Sequence, residues 1–214
     1  DADIAPALTE AEVEAAQFTP EVMWKMGRIG SHSLSPDGTT LLYTITYYNM
    51  EENRGVTAIY LRNMTSGAVK QLTDHSSNNH SPKWSECGEK IYFLSDRSGS
   101  SQIWSMNAEG KEVEQVWAFE KDVEAYGISP RGDKLFYVQR VQVCDRKSSD
   151  IYEDAPKSKA KIYDDLMCRH WNYWDEGSYV HVFVGDMATN GKASEGVDII
   201  GAESAWDAPL APFF

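Results

Sequence analysis

The sequence predicts an all-β chain, a partial β-propeller of about three four-stranded blades, with a short helical segment in front and a helical, aromatic-rich insertion in the third blade. Three observations carry this expectation. A turn motif recurs three times at blade-like spacing. Each copy runs into a short apolar stretch of strand character, and a long polar and aromatic segment separates two strands of the last copy.

The motif reads Ser35-Pro36-Asp37-Gly38 before Leu41-Leu42-Tyr43-Thr44-Ile45, Ser85-Glu86-Cys87-Gly88 before Ile91-Tyr92-Phe93-Leu94, and Ser129-Pro130-Arg131-Gly132 before Leu135-Phe136-Tyr137-Val138. Gly38 and Gly88 stand 50 positions apart, and Gly88 and Gly132 stand 44 apart. Such a period fits blades of four strands and disfavours solenoids built on shorter repeats. Proline fixes φ at the first turn position, an Asp or Ser side chain caps the turn, and glycine permits positive φ, so each copy is expected to be a hairpin corner.

Within the first blade, about 29–75, Thr57 to Asn63 reads as a third strand, Thr65-Ser66-Gly67 as a turn and Val69 to Thr73 as a fourth strand. The second, about 76–120, repeats the order with Lys90 to Asp96, Gln102 to Met106 and Glu112 to Val116; Tyr60 and Trp104 occupy matching places. In the third, about 121–201, the strand Lys134 to Val143 finds its next partner only at Tyr179 to Asp186, which marks 144–178 as an insertion. Val197 to Ile200 supplies a last short strand, and 202–214 reads as the lead into a further blade.

Residues 1–28 read as a helical segment. Thr9 with Glu12 forms a capping box for Leu8 to Ala16. Pro20 to Met26 follows as a second short helix, with Thr19 as N-cap, Phe18 and Met23 as a hydrophobic staple and Gly27 as the stop.

The chain has 214 residues, 42% hydrophobic and 12% aromatic, which supports a substantial core and excludes general disorder. Twenty basic against thirty-three acidic residues give a net charge of −13. That charge repels a phosphate backbone and attracts cationic groups such as free amines, so nucleic acid is not an expected partner. No apolar run is long enough for a transmembrane helix, and no signal-peptide pattern opens the sequence. The first residue is Asp1, so removal of an upstream segment is expected, by choice of fragment or by cleavage of an export signal. Cys87, Cys144 and Cys168 match neither a disulfide framework nor a metal pair.

No G-x-S-x-G elbow, H-E-x-x-H, P-loop or G-x-G-x-x-G is present, so no catalytic residue, metal ligand or cofactor site is assigned. His75 and His80, five apart in the polar segment Asp74 to Ser81, lack a third zinc ligand and read as part of a blade connection. Asp164 and Asp165 lack the alternating oxygen ligands of a calcium loop. Asn63-Met64-Thr65 and Asn79-His80-Ser81 match glycosylation sequons. The insertion is the richest place. In Ile162 to Glu176, Arg169, His170, Trp171, Trp174, Asp175 and Glu176 are the candidate substrate-binding residues, the carboxylates offering charge to an amine and the tryptophans apolar walls. The compatible structural reading is an amphipathic helix, Asp164 to Trp171, packing Leu166, Met167 and Trp171 on the propeller. The hairpin loop Asn49 to Asn53 is a weaker candidate of the same kind.

The sequence resembles the N-terminal propeller of the prolyl oligopeptidase family of serine peptidases, in its bacterial dipeptidyl peptidase and acylaminoacyl peptidase branch. The resemblance rests on Thr19-Pro20-Glu21 with Trp24 and Arg28, the Ser35-Pro36-Asp37-Gly38 corner, Ser81-Pro82-Lys83-Trp84-Ser85, and Phe93 to Gly99 with Gln102-Ile103-Trp104. Asp165-Leu166-Met167 with Arg169-His170-Trp171, and Trp206-Asp207-Ala208-Pro209, complete it. It implies a seven- or eight-bladed propeller capping a C-terminal α/β-hydrolase domain with a Ser-Asp-His triad. The triad has no counterpart in this chain, and for the family's paired-glutamate amine anchor only Asp175-Glu176 and Glu51-Glu52 stand in. On this resemblance the chain alone is no enzyme. It gates short peptides and helps seat the substrate N-terminus, with periplasmic or secreted localisation. The alternative is a non-enzymatic periplasmic propeller scaffold that binds protein or cell-wall partners. Either way, an incomplete propeller leaves apolar faces uncovered and is expected to self-associate.

Overall fold

The computed structural model describes residues 8–143, 146–163, 168–174 and 176–201. The expected lead into a further blade over 202–214, Cys144, Asp164 to Met167 and Asp175 lie outside them. Two short helices, α1 (Glu10–Ala15) and α2 (Pro20–Lys25), precede three four-stranded antiparallel sheets. The first holds β1 (Arg28–Leu34), β2 (Thr40–Asn49), β3 (Arg54–Asn63) and β4 (Val69–Gln71). In the second are β5 (Asn79–Trp84), β6 (Lys90–Ser95), β7 (Gln102–Asn107) and β8 (Glu114–Gln115). The third sheet comprises β9 (Ala125–Ile128), β10 (Lys134–Gln142), β13 (Ser178–Asp186) and β14 (Val197–Asp198). Between β10 and β13 lie a 3-10 turn at Ser148–Asp150 and a small hairpin of β11 (Arg169–His170) and β12 (Tyr173–Trp174). Despite the insertion, β10 and β13 pair in unbroken register from Lys134↔Asp186 to Gln142↔Ser178.

The three corners share one hydrogen-bond design. Ser35, Ser85 and Ser129 each accept on Oγ from the backbone N–H five residues on, at 2.9, 3.0 and 3.0 Å. Their carbonyls accept from Gly38, Gly88 and Gly132, whose φ values of +72°, +74° and +69° are the left-handed conformation that glycine adopts without Cβ strain.

Side chains alternate across a strand, so each sheet offers two faces. From β6, Ile91 and Phe93 enter one core with Leu42, Ile59 and Met106, while Tyr92 and Leu94 enter the other with Leu135, Tyr137 and Val116. The second sheet is thus covered on both sides, which explains the uninterrupted apolar run of β6. Equivalent positions repeat. Tyr43 stacks on Tyr60 (5.7 Å between centroids) and Tyr137 on Phe183 (5.2 Å), while Phe93 pairs with Trp104 in register.

At the inner edges Ser81 ties the sheets together. It sits at φ +53° in an irregularity of the β5–β6 register, where its backbone groups turn away from β6. Its N–H donates to Ser31 Oγ on β1 (3.2 Å), and its carbonyl accepts from Tyr126 Oη on β9 (2.8 Å). One residue therefore links the edge strands of all three sheets.

Three local expectations are corrected. Residues 169–171 do not continue a helix from Asp164. Arg169 and His170 pair with Trp174 and Tyr173 across a turn in which Trp171 has φ +50°, because closely spaced aromatics favour pleated backbone and Asn172 suits a tight turn. Phe18 is 73% exposed, so it does not clasp Met23 as a staple. Gly27 is not a left-handed helix stop. α2 ends as Met26 turns extended, and a Cβ on Gly27 would stand 2.6 Å from Ile45 Cγ2, so the residue is small to let the chain cross β2.

Candidate functional site

Chain direction sorts the connections. In every sheet the Ser-Gly corners and the turns between third and fourth strands fall at one end. The links between second and third strands, and between sheets, fall at the other. The corner end has tight turns only. The loop end gathers α2, the connections 50–53, 72–78, 96–101 and 116–124, and the described residues of the link from β10 to β13.

At the loop end of the second sheet, Asn79, Ser95 and Arg97 interlock. Arg97 donates through Nη2 to Asn79 Oδ1 (2.8 Å) and through Nε to Ser95 Oγ (3.0 Å), and its guanidinium lies 5.1 Å from both the Phe93 and Trp104 rings. Asp96 Oδ1 accepts from the Asn78 N–H (2.8 Å), and Asn78 Oδ1 accepts from the Thr57 N–H of β3 (3.1 Å). The Ser-Asp-Arg run of the sequence is therefore a clip between the first two sheets. His75 and His80 serve separate partners: His75 Nδ1 faces Gln71 Nε2 (3.2 Å) while its ring packs on Tyr47 and Tyr60, and His80 Nδ1 faces Ser81 Oγ (3.1 Å). Burial lowers the pKa of both imidazoles. Among the described residues no group of three or more His, Cys, Asp or Glu is arranged to hold a metal.

The insertion hairpin brings several candidates together. The Arg169 guanidinium lies 5.4 Å from the Trp174 ring, and Trp174 stacks on Tyr163 at 6.3 Å. Trp171 at the turn is 84% exposed and Trp174 is 56% exposed, so both indoles stand open. His170 pairs through its backbone with Tyr173. Glu176 is exposed, and its carbonyl anchors the hairpin by accepting from Gln142 Nε2 (2.7 Å). Asp175 lies outside the described residues. In the Asn49 to Asn53 loop, Arg54 Nε holds the Glu52 carboxylate at 2.6 Å.

Two features escape the sequence reading. An open groove of about 580 Å³ runs between β1 and β5, lined by Ser31, His32, Lys83, Trp84 and Glu86 among others, and contains none of the insertion residues. A bulge in each edge strand creates it, and a bulge leaves no mark in composition. The second is an aromatic clasp. Arg28, at the start of β1, lies against both Trp24 of α2 (5.2 Å) and Tyr48 of β2 (4.4 Å), and the two rings meet edge-on at 5.8 Å. Arg28 and Tyr48 are 20 residues apart in sequence, joined only by the fold.

Three four-stranded antiparallel sheets stacked in chain order define part of a β-propeller. Residues 10–161 match the family described as the TolB beta propeller domain, and the chain belongs to that family. Among curated proteins it is similar to dipeptidyl-peptidase 5 of Porphyromonas gingivalis, 32% identical over 196 residues, covering 92% of this chain and 28% of the relative. Dipeptidyl-peptidase 5 of Porphyromonas endodontalis is 29% identical over 204 residues, covering 95% and 29%. The chain thus spans less than a third of these relatives' length. Among solved structures, an acylaminoacyl peptidase in complex with Z-Gly-Gly-Phe-chloromethyl ketone aligns with a TM-score of 0.61 at 18% identity, over 82% of this chain and 26% of that one. The Pyrococcus horikoshii acylaminoacyl peptidase gives 0.59 at 19%, over 82% and 26%. At such identities the likeness is one of fold.

Proposed function

We propose that this chain is the propeller portion of a secreted or periplasmic serine exopeptidase of the dipeptidyl or acylaminoacyl type. It narrows access to short peptides and helps seat their N-termini for a C-terminal α/β-hydrolase domain. The observation that carries this reading is the similarity of 92% of the chain to dipeptidyl-peptidase 5 of Porphyromonas gingivalis. The loop end supports it. There the exposed Trp171 and Trp174 supply apolar walls, Arg169 lies against Trp174, and Glu176 supplies negative charge for an α-ammonium group, with His170 and Asp175 adjoining them in the sequence. The role of the chain is positional, since nucleophile, acid and base belong to the proposed partner domain.

Calorimetric titration of the chain with a short peptide bearing a free α-amine, and with its N-acetylated form, tests the reading. Tighter binding of the free amine, weakened by salt and by Glu176→Gln, is the expected result. Equal binding of both forms contradicts it. No dipeptidyl or acyl-aminoacyl reporter should be turned over, and turnover that survives purification overturns the non-catalytic role.

The family match over 10–161 favours a second reading, a non-enzymatic periplasmic scaffold that binds protein or cell-wall partners. A G-x-S-x-G motif in the coding sequence beyond residue 214 selects the peptidase, and a coding sequence that lacks it selects the scaffold.

A further inference from the structure

The clasp around Arg28 carries an inference independent of the peptidase reading. Arg28 is half-buried, its guanidinium lies against the adjoining rings of Trp24 and Tyr48, and Nη1 is closed off without a hydrogen-bond partner. Aromatic rings stabilise the cation but offer nothing to its in-plane N–H donors. A guanidinium in such a setting ordinarily finds a carboxylate, because a buried donor left unmade is costly and the planar fork matches two carboxylate oxygens.

In a chain with a net charge of −13 the missing acid is conspicuous. Three carboxylates on the neighbouring elements are already engaged. Glu12 binds Lys25 Nζ at 2.7 Å and its pKa falls to about 2, chiefly through that bond. Glu52 binds Arg54, and hydrogen bonding from its own backbone N–H and from Thr19 lowers the Glu21 pKa. Among the described residues none pairs with Arg28. The clasp is also preassembled: three separate elements hold the guanidinium before any ligand arrives, which lowers the ordering cost of binding.

We propose that Arg28, held against Trp24 and Tyr48, is a carboxylate-binding site at the loop end of the propeller. The ligand is a carboxylate group from one of two sources, the C-terminus of a short peptide or an acidic side chain of a protein segment docked on this rim. Trp24 and Tyr48 hold the guanidinium in place, and Arg28 supplies paired donors through Nε and Nη2, Nη1 being closed off.

The test follows the Arg28 side-chain N–H resonance of the ¹⁵N-labelled 214-residue chain by NMR. The probes are N-acetyl-alanyl-alanine, its C-terminal amide, and N-acetyl-glutamate α-amide. All lack a free amine, so failure of the amine seat proposed above does not affect the outcome. The expected result is saturable binding of the acid, about tenfold tighter than the amide, and weakened several-fold in Arg28→Lys, which keeps the charge but loses the fork. A response to the terminal acid alone assigns a peptide C-terminus, and a response to the glutamate probe as well extends the site to acidic side chains. Equal response to acid and amide, no response to any probe, or acid binding unchanged in a folded Arg28→Lys variant overturns the proposal and leaves Arg28 a packing residue.

Discussion

The second and third sheets begin from the same corner motif and the same strand order, yet β6 is buried along nearly all of its length while β10 is buried only at alternate positions. The difference lies in what covers each face. Tyr92 and Leu94 of β6 meet the third sheet, whereas the matching side of β10 carries Phe136, 44% exposed, across from Val184, with no sheet among the described residues packed on it. Repeat position sets which side chain points where, and the neighbouring sheet sets how much that placement is worth.

Truncating equivalent strands sharpens this contrast most. Phe93→Ala removes a fully buried ring and should cost about 3–5 kcal/mol, whereas Phe136→Ala should cost under about 1 kcal/mol; urea unfolding of the two variants checks the ratio. Phe136→Ser should also reduce self-association in sedimentation, since it removes apolar surface from the uncovered face. Smaller is the effect of Tyr126→Phe, which leaves the Ser81 carbonyl without its donor and should cost about 1–2 kcal/mol. Ser81 joins all three edge strands, so loosening in this variant should reach the first sheet as well as the third. Smallest is a pH effect. Desolvation outweighs the Asp74 carboxylate and lowers the His75 pKa, so as pH falls below about 6.5 the unfolded chain takes up the proton before the folded one and stability drops. His75→Gln should flatten that part of the stability curve, leaving the parallel contribution of His80.

Much of this architecture was legible in the residues. The Ser-Gly corners announce the hairpins because their chemistry is local: a hydroxyl that accepts an N–H and a glycine free to take positive φ. Thr9 and Thr19 likewise cap the helices that follow them. What the sequence hid depends on distant partners. The smallness of Gly27 answers to Ile45 and Tyr47, the hairpin at Arg169–Trp174 competes locally with a helix, and the positive φ of Ser81 serves hydrogen bonds to β1 and β9. The candidate site divides the same way. Composition singles out the aromatic and acidic insertion, while the Arg28 clasp exists only once α2, β1 and β2 have come together.

Amide hydrogen exchange of the 214-residue chain tests the central claim most directly, that a sheet covered on both faces governs this fold. The account predicts slowest exchange in β6 and β7, with β10 and β13 opening earlier despite their longer unbroken pairing. Protection in β10 and β13 equal to or greater than that in β6 and β7 would contradict it.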